Sequence, residues 1–308
     1  MKRKRWLAMA LVFCLLGTTV PLTALAAGED GEVQYIVSND GTTLTIQGDG
    51  EITSQALDAN VTAEQKKTLT SVEIGAGVTG IADGYSSVFP AGVTNVTLKG
   101  SGAFRFGKYS FKGQKNLTVQ SERTSLAIGS YAFHNAVLTE FPMDQLHTIG
   151  SYGFSNAVLP LEGETLTLRI EDQVDVEAQY PAISVGSCAF SGVKNKEGTA
   201  FSKASVTIGG TVQFGDYSFN ASDVFGSSAA LEELTFHLKE GAYLIFGGGA
   251  LGIPALRSAV FTGTGQIDFQ HPSYRYVQAA PFRNGKQVET LDFSGFTGEI
   301  TFAKNMFH

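Results

Sequence analysis

The fold is decided by a hexapeptide, Ile128-Gly129-Ser130-Tyr131-Ala132-Phe133, whose order is apolar, glycine, polar, aromatic, small, phenylalanine. Clear copies run over 106–111, 149–154, 185–190 and 214–219, and weaker copies run over 81–89, 246–251 and 302–307. A pattern that returns every two or three dozen residues indicates supersecondary units that stack on their neighbours. We therefore predict a repeat solenoid.

A strand-like segment precedes each copy, as in Leu69–Ile74 and Val93–Leu98, where apolar residues alternate with polar ones. That alternation is the period of a half-buried strand. Charged residues make up only 17% of a chain with 36 glycines and 22 phenylalanines, which favours a mainly β, turn-rich protein. We predict that each unit is one strand, a turn and the glycine-aromatic corner. Roughly nine such strands would stack in parallel, about 4.8 Å apart.

Two positions of the hexapeptide should form columns along the solenoid. Its phenylalanine should stack inside the core, and its glycine should supply a backbone shape or close approach that a side chain would hinder. Its aromatic fourth residue should form a stripe that either covers the turns or binds sugar rings or a protein partner. The predicted core column is Phe111, Phe133, Phe154, Phe190 and Phe219, and the candidate ligand-binding stripe is Tyr109, Tyr131, Tyr152 and Tyr217.

The first 26 residues have the organisation of a secretory signal peptide. A basic head at Lys2–Arg5 precedes an apolar run at Trp6–Leu16, and small residues follow. The pattern predicts cleavage between Ala26 and Ala27, whereas a membrane anchor would need a longer apolar stretch. The mature protein is therefore expected to be secreted or displayed at the cell surface.

The composition of the mature chain argues against several functional classes. Without the four basic residues of the leader, 18 Lys and Arg face 29 acids, a net charge of −11 that disfavours nucleic acid and anionic lipid. Only Cys188 would remain after cleavage, so no intramolecular disulfide is expected. The histidines never pair at metal-ligand spacing, and we expect no metal or cofactor.

Three regions are predicted: the signal peptide at 1–26, a β-hairpin cap at 27–68 and the solenoid at 69–308. Val33–Val37 and Thr43–Ile46 flank an Asn-Asp-Gly turn, which is typical of a hairpin. The hairpin would cover the strand edge of the first unit. One helical turn is expected at Thr62–Lys67, and the polar insertions Pro160–Ala182 and Val193–Lys203 are expected to form loops.

The segment Leu138–Phe154 matches, almost position by position, the pattern of the BspA-like bacterial leucine-rich repeats. In that pattern a Leu-x-x-Val-x-Ile strand and a short turn precede Ile-Gly-x-Tyr-Ala-Phe. The resemblance covers about Leu69 to His308 and implies a right-handed leucine-rich-repeat stack. It also implies an exported or surface-displayed protein that adheres to extracellular proteins or glycans of a host or other cells, with no catalytic residue carried over.

Two other functions stay open from the sequence. A carbohydrate-active parallel β-helix enzyme would need two or three acids on adjacent coils. A surface fragment without its own ligand is the other alternative. The outward strand column, however, is predicted to be mostly threonine, which β-propensity explains; it consists of Glu73, Thr97, Thr118, Pro142, Thr167, Thr207, Thr235, Val260 and Asp292. The sequence therefore favours a non-enzymatic recognition surface.

Overall fold

The computed structural model describes residues 32–171, 183–215, 224–226, 230–269, 281–283, 285 and 287–302. The signal-peptide residues Ala26 and Ala27 lie outside these ranges, as do Tyr217 and Phe219 of one hexapeptide copy. Within the described ranges the chain is mainly β, and no helix there is both long and apolar enough to cross a membrane.

The described part of the chain begins with a hairpin and two short helices. Its elements are β1 (Gln34–Val37), β2 (Thr43–Gln47), β3 (Gly50–Ile52), α1 (Ser54–Asn60) and α2 (Ala63–Thr68). β1 and β2 pair antiparallel around the Asn-Asp-Gly turn, as expected. The helical turn expected at Thr62–Lys67 is α2, where Thr62 and Gln65 form a reciprocal capping box. α1 was not predicted; the Thr53 hydroxyl caps it by accepting from the Ala56 N–H.

Short parallel strands make up the rest of the described chain, with a 3-10 turn at Met143–Gln145. They are β4 (Ser71–Ile74), β5 (Val78–Ile81), β6 (Asn95–Leu98), β7 (Ala103–Phe106), β8 (Leu117–Ser121), β9 (Ser125–Ile128), β10 (Leu138–Glu140), β11 (Leu146–Ile149), β12 (Thr165–Glu171), β13 (Ile183–Val185), β14 (Lys203–Gly209), β15 (Thr211–Phe214), β16 (Glu233–Phe246), β17 (Ser258–Asp268), β18 (Thr290–Phe296) and β19 (Glu299–Thr301).

Successive coils stack through two sheets. One sheet has the order β1-β2-β4-β6-β8-β10, and the other contains the parallel ladder β3-β5-β7-β9-β11-β13-β15-β16-β17-β19. Each unit therefore holds two strands, and the prediction of one strand per unit is wrong. The second strand is only about four residues long and ends at the apolar residue that opens the hexapeptide, so it has too few residues to show an alternating pattern of its own.

The two sheets merge towards the C-terminal part of the described chain. Glu233–Leu238 of β16 pairs with β14, whereas Thr211–Phe214 of β15 pairs with the second half of the same strand. β12 aligns with β14 in unbroken register over seven residues. The expected loop at Pro160–Ala182 is therefore wrong for Thr165–Glu171, where the sequence also predicts a shorter strand at Leu166–Leu168. Leu166, Leu168 and Ile170 alternate into the core, and the acids on either side of them suggested an insertion.

The core contains a column of stacked phenylalanine rings. Phe111, Phe133, Phe154 and Phe190 follow one another with centroid separations of 5.6, 5.4 and 5.6 Å and planes within 9° of parallel. Each of these four side chains is fully buried. The predicted column is confirmed at these four positions, and Phe225 stacks on Phe190 in the next coil.

The outward strand column was predicted with the wrong register. Thr97 faces Gln120, whereas Thr118 faces Asn95. Thr207 likewise faces His237 and not Thr235. A strand alternates with a period of two, so a shift by two residues keeps the same side chains outside and leaves the sequence pattern unchanged. The alternation therefore gives the face of a residue but not its neighbours.

Candidate functional site

The described clear copies of the hexapeptide place their fourth residue in the left-handed backbone region. The φ angles of Tyr109, Tyr131 and Tyr152 are 63°, 59° and 60°, and Cys188 adopts 54° at the same position. A bulky residue in this region is strained by roughly 1 kcal/mol. A tyrosine in a sequence does not indicate a left-handed conformation, because this conformation is usually adopted by glycine.

The glycine of the hexapeptide permits a close approach between backbones, which is one of the two roles predicted for it. A Cβ atom on Gly129 would lie 2.7 Å from the Phe106 carbonyl oxygen, and one on Gly150 would lie 2.6 Å from the Ser130 nitrogen. Real Cβ atoms do not approach backbone atoms so closely. Glycine is therefore required because adjacent coils touch at this point.

A second left-handed residue follows each of these positions by four residues. It is Gly113, Asn135, Asn156 and Gly192 in successive coils, with φ between 55° and 76°. Glycine and asparagine tolerate this region best. This pair of left-handed positions, missed from the sequence, defines the turn. Its signal was the regular return of glycine or asparagine four residues after the aromatic position.

The three described tyrosines stack on one another and form what we call the tyrosine ladder, Tyr109, Tyr131 and Tyr152. The ring centroids of Tyr109 and Tyr131 are 5.2 Å apart, and those of Tyr131 and Tyr152 are 4.8 Å apart with planes 7° from parallel. All three side chains are half-buried. The structure thus brings together three of the four candidate residues. In the next coil the equivalent residue is Cys188, which is buried.

Neighbouring side chains cover the ring faces of the ladder. Tyr131 has Tyr109 on one face and Tyr152 on the other. The Lys108 and Lys112 ammonium groups each lie 5.1 Å from the Tyr109 ring centroid. A sugar ring therefore cannot stack on either face of Tyr131. The ladder presents ring edges and hydroxyl groups to a partner.

Tyr131 and the neighbouring His134 are both electrically neutral at pH 7. Burial raises the pKa of Tyr131, and its neighbours Tyr109 and Cys188 raise it further. Burial also lowers the pKa of His134, whose ring contacts Tyr131 edge-on, and the positive charge of Lys112 lowers it further. The ladder can therefore offer neutral hydrogen-bonding groups, and the charge beside it comes from lysine.

Tyr85 is a candidate site residue that sequence reasoning missed. The Gly84 N–H donates to the Lys108 carbonyl and the Val88 N–H donates to the Ser110 carbonyl, contacts that Tyr109 and Phe111 make in the next coil. This coil therefore has two extra residues between these positions. Tyr85 lies among them with a completely exposed side chain. The signal in the sequence was the greater length of the degenerate copy at 81–89.

Other chemistry has less support among the described residues. No group of three or more possible metal ligands occurs in this part of the chain. A small cavity of about 30 Å³ beside Phe190 and Phe225 is lined mostly by apolar side chains, too small for a substrate. The described carboxyls with shifted pKa values are all held below their ordinary range, whereas a glycosidase needs an acid with a raised pKa. These carboxyls belong to Asp40, Asp83, Glu122, Glu162, Glu164, Glu171 and Asp292.

Comparison of the chain with known proteins finds no matching family model, no matching curated protein and no matching solved structure. The ladder and its surroundings are therefore interpreted from the residues of this chain. The leucine-rich-repeat resemblance stays a prediction that rests on the hexapeptide copies and the strands between them.

Proposed function

We propose that this chain is an exported, non-enzymatic recognition protein of the BspA-like leucine-rich-repeat type. In this proposal it binds an extracellular protein or glycan across the turns that carry the tyrosine ladder. The parallel stack of short strands supports the proposal, because stacked repeats present long lateral surfaces on which partners bind.

The observation that carries the proposal is the presence of tyrosine at a strained position in three consecutive coils. Cys188 adopts the same left-handed conformation, so the turn can form without a tyrosine. Yet three consecutive coils place a large ring there, and the rings stack. Strained residues often mark functional sites, and tyrosine is enriched at the centres of protein interfaces. Ring stacking alone would also stabilise the turns, so the two roles need an experiment that separates them.

The alternative functions differ from this proposal in what they require. An enzyme acting on polysaccharides needs a carboxylic acid that is protonated near neutral pH, and the lowered carboxyl pKa values give that alternative no support. A surface fragment without a ligand would not need the same aromatic residue at one surface position of successive coils. Export itself rests on the predicted signal peptide, with cleavage between Ala26 and Ala27.

The test is a screen of the mature chain, residues 27–308, on arrays of glycans and extracellular proteins. A panel of polysaccharides is assayed in parallel for released sugars. We expect binding without turnover. Release of sugar from any polysaccharide would replace the recognition proposal with the enzyme.

The role of the ladder is tested by replacing Tyr109, Tyr131 and Tyr152 together with glycine, which fits their φ angles and removes the rings. A matched control replaces Asn116, Asn135 and Asn156 with glycine, since these residues are left-handed too. We expect at least tenfold weaker binding for the tyrosine variant alone. Equal binding by both variants, with circular dichroism confirming the fold, would refute this surface.

A further inference from the structure

The lysines of this chain differ in whether they have an acidic partner. Six of those in the described ranges form ion pairs, namely Lys66, Lys67, Lys99, Lys196, Lys203 and Lys239. Four form none with any described residue: Lys194, the one such lysine in a later coil, and the neighbours Lys108, Lys112 and Lys115. The last three lie within eight residues of one another, in the single turn that carries Tyr109. We call Lys108, Lys112 and Lys115 the lysine turn.

The lysine turn concentrates positive charge on a small area. The ammonium groups of Lys108 and Lys112 are each 5.1 Å from one ring centroid and so lie at most about 10 Å apart. This separation is comparable to the Debye length at physiological ionic strength, so each charge still acts on the other. The Lys115 ammonium donates to the Asn135 carbonyl in the next coil, at 2.8 Å. Two cations therefore stand at the Tyr109 end of the tyrosine ladder, and a third, Lys115, follows them in the same turn.

Asp83, a carboxylate beside the lysine turn, is already engaged. Asp83 accepts from the Lys108 backbone N–H at 2.8 Å and from the Arg105 guanidinium. These contacts, together with the charge of Lys108, hold the pKa of Asp83 below its ordinary range. On the other side Lys112 faces His134, whose pKa is lowered and which is neutral at pH 7. An added anion would thus meet little competition.

From this arrangement we infer that the lysine turn binds an acidic polypeptide segment. The inference deepens the proposed recognition function and rests on it. The mature protein carries a net charge of −11, so a cluster of unpaired lysines is a local exception that complements an acidic partner. The Tyr131 faces are covered, which leaves a neutral sugar little open aromatic surface beyond the single exposed ring of Tyr85. Carboxylate side chains instead need the donors found here, ammonium groups and tyrosine hydroxyls.

Tyr85 supplies an anchor next to these charges. It is fully exposed, and it follows Gly84, whose N–H donates to the Lys108 carbonyl at 3.1 Å. An aromatic side chain beside a charged rim is the usual arrangement of an interface whose energy is concentrated in a few residues. We therefore expect the acidic segment to cross the lysine turn and to cover Tyr85.

The experiment measures binding of fluorescent poly-glutamate to the mature chain by anisotropy. The test variant is Lys108→Gln/Lys112→Gln/Lys115→Gln. The matched control is Lys99→Gln/Lys196→Gln/Lys203→Gln, which removes the same charge from lysines that have acidic partners. We expect at least tenfold weaker binding for the test variant and less than a twofold change for the control. Tyr85→Ala should also weaken binding.

Three outcomes would overturn the inference. Equal losses in both triple variants would mean that net charge, and not the lysine turn, governs binding. Heparin binding that exceeds poly-glutamate binding and depends on the same lysines would assign the site to sulfated glycans. Absence of poly-glutamate binding would remove the site altogether. Failure of the proposed function is seen separately, because the array ligands would then bind the tyrosine-to-glycine variant as well as they bind the unaltered chain.

Discussion

The rings of Phe133 and Phe154 lie parallel in adjacent coils, with their centroids 5.4 Å apart and their planes 8° from parallel. The backbone supports this contact, because the Phe133 N–H donates to the Gly153 carbonyl at 2.8 Å. Both side chains are fully buried. Each coil thus supplies one face of the packing site of the next, and a defect in one ring should loosen its neighbours.

Phe154→Ala should reduce the free energy of unfolding by about 3–5 kcal/mol, as expected when a packed aromatic site is emptied. Urea unfolding followed by circular dichroism measures the change. Tyr85→Ala is the control; because the Tyr85 side chain is exposed, it should alter stability by no more than about 0.5 kcal/mol. An unchanged melt for Phe154→Ala would contradict the phenylalanine column.

Arg123 holds together coils that are not adjacent in the chain. Its side chain is only 3% exposed, yet its guanidinium has no carboxylate partner within hydrogen-bonding distance among the described residues. It donates instead to the carbonyls of Gly75, Ala76 and Val78, at 2.7, 3.1 and 3.0 Å. The ring of Phe104 lies against it, 5.5 Å away. The cation thus satisfies the buried Val78 carbonyl and the part-buried carbonyls of Gly75 and Ala76.

Arg123→Met should therefore cost roughly 2–4 kcal/mol of stability, since methionine fills the space but leaves these carbonyls without the arginine donors. Arg105→Met is a matched control, because Arg105 is 41% exposed and its ion pairs with Glu51 and Asp83 lie at the surface. That control should cost less than about 1 kcal/mol. Equal effects in urea unfolding would argue against a special role for Arg123.

The sequence predicted the phenylalanine column because one residue type returns at one position of the repeat. It could not predict the second strand of each coil, since strands such as Ser125–Ile128 are too short to show their own period. The residues Leu166–Leu168 are strand-like in the sequence, but the acids that flank them suggest an insertion and so hide the full extent of the strand Thr165–Glu171. The register also stayed hidden, as a two-residue shift preserves the alternation.

Less of the candidate site could be predicted than of the fold. The stripe of tyrosines followed from the repeat, but their left-handed φ angles did not, since side-chain identity carries no such signal for tyrosine. The lysine turn could not be predicted, because the ion pairs that distinguish the other lysines from it join residues of different coils. Lys99 and Glu122 pair, for example, although 23 residues separate them in the chain. Such pairs are known only once the register is known.

The left-handed position at Asn135 gives a prediction that isolates backbone strain. Asn135→Ala should cost about 1 kcal/mol, because alanine tolerates a φ of 59° poorly. Asn135→Gly should change stability by less than about 0.5 kcal/mol, since the equivalent positions Gly113 and Gly192 already hold glycine. Thermal melts of the two variants side by side give the comparison. Identical melts would mean that the turn relaxes away from the left-handed region.

Glu171 gives a prediction about pH. It accepts from the Arg169 Nε at 2.6 Å and from the Lys239 Nζ at 2.5 Å, and its side chain is only 14% exposed. Hydrogen bonds and the two positive charges lower its pKa below the ordinary value of 4.5. A carboxyl whose pKa is lower in the folded than in the unfolded protein stabilises the fold at pH values above its pKa in the unfolded protein. That stabilisation is lost as the pH falls through the folded pKa.

Glu171→Gln should therefore lower stability by about 1 kcal/mol at pH 7. The difference from the unaltered chain should shrink as the pH falls below about 4, where the carboxyl of the unaltered chain becomes protonated. Urea unfolding at several pH values measures it, with the exposed Glu197→Gln as control. A difference that stays constant with pH would show that the effect is steric and not electrostatic.

The hairpin gives the last prediction, which concerns association. β2 pairs with β4 in register from Thr43–Ser71 to Ile46–Ile74, so the hairpin covers the outer edge of the first parallel strand. Deleting Val33 to Gln47 removes this cover and exposes the backbone donors and acceptors of β4. It also exposes the core residues that pack against Leu44 and Ile46. Open edges template pairing with other chains, and solenoids without a cap associate. We therefore expect the deleted protein to keep its β circular dichroism but to form dimers or larger species by light scattering. A deleted protein that is folded and monomeric would mean that β4 needs no cap.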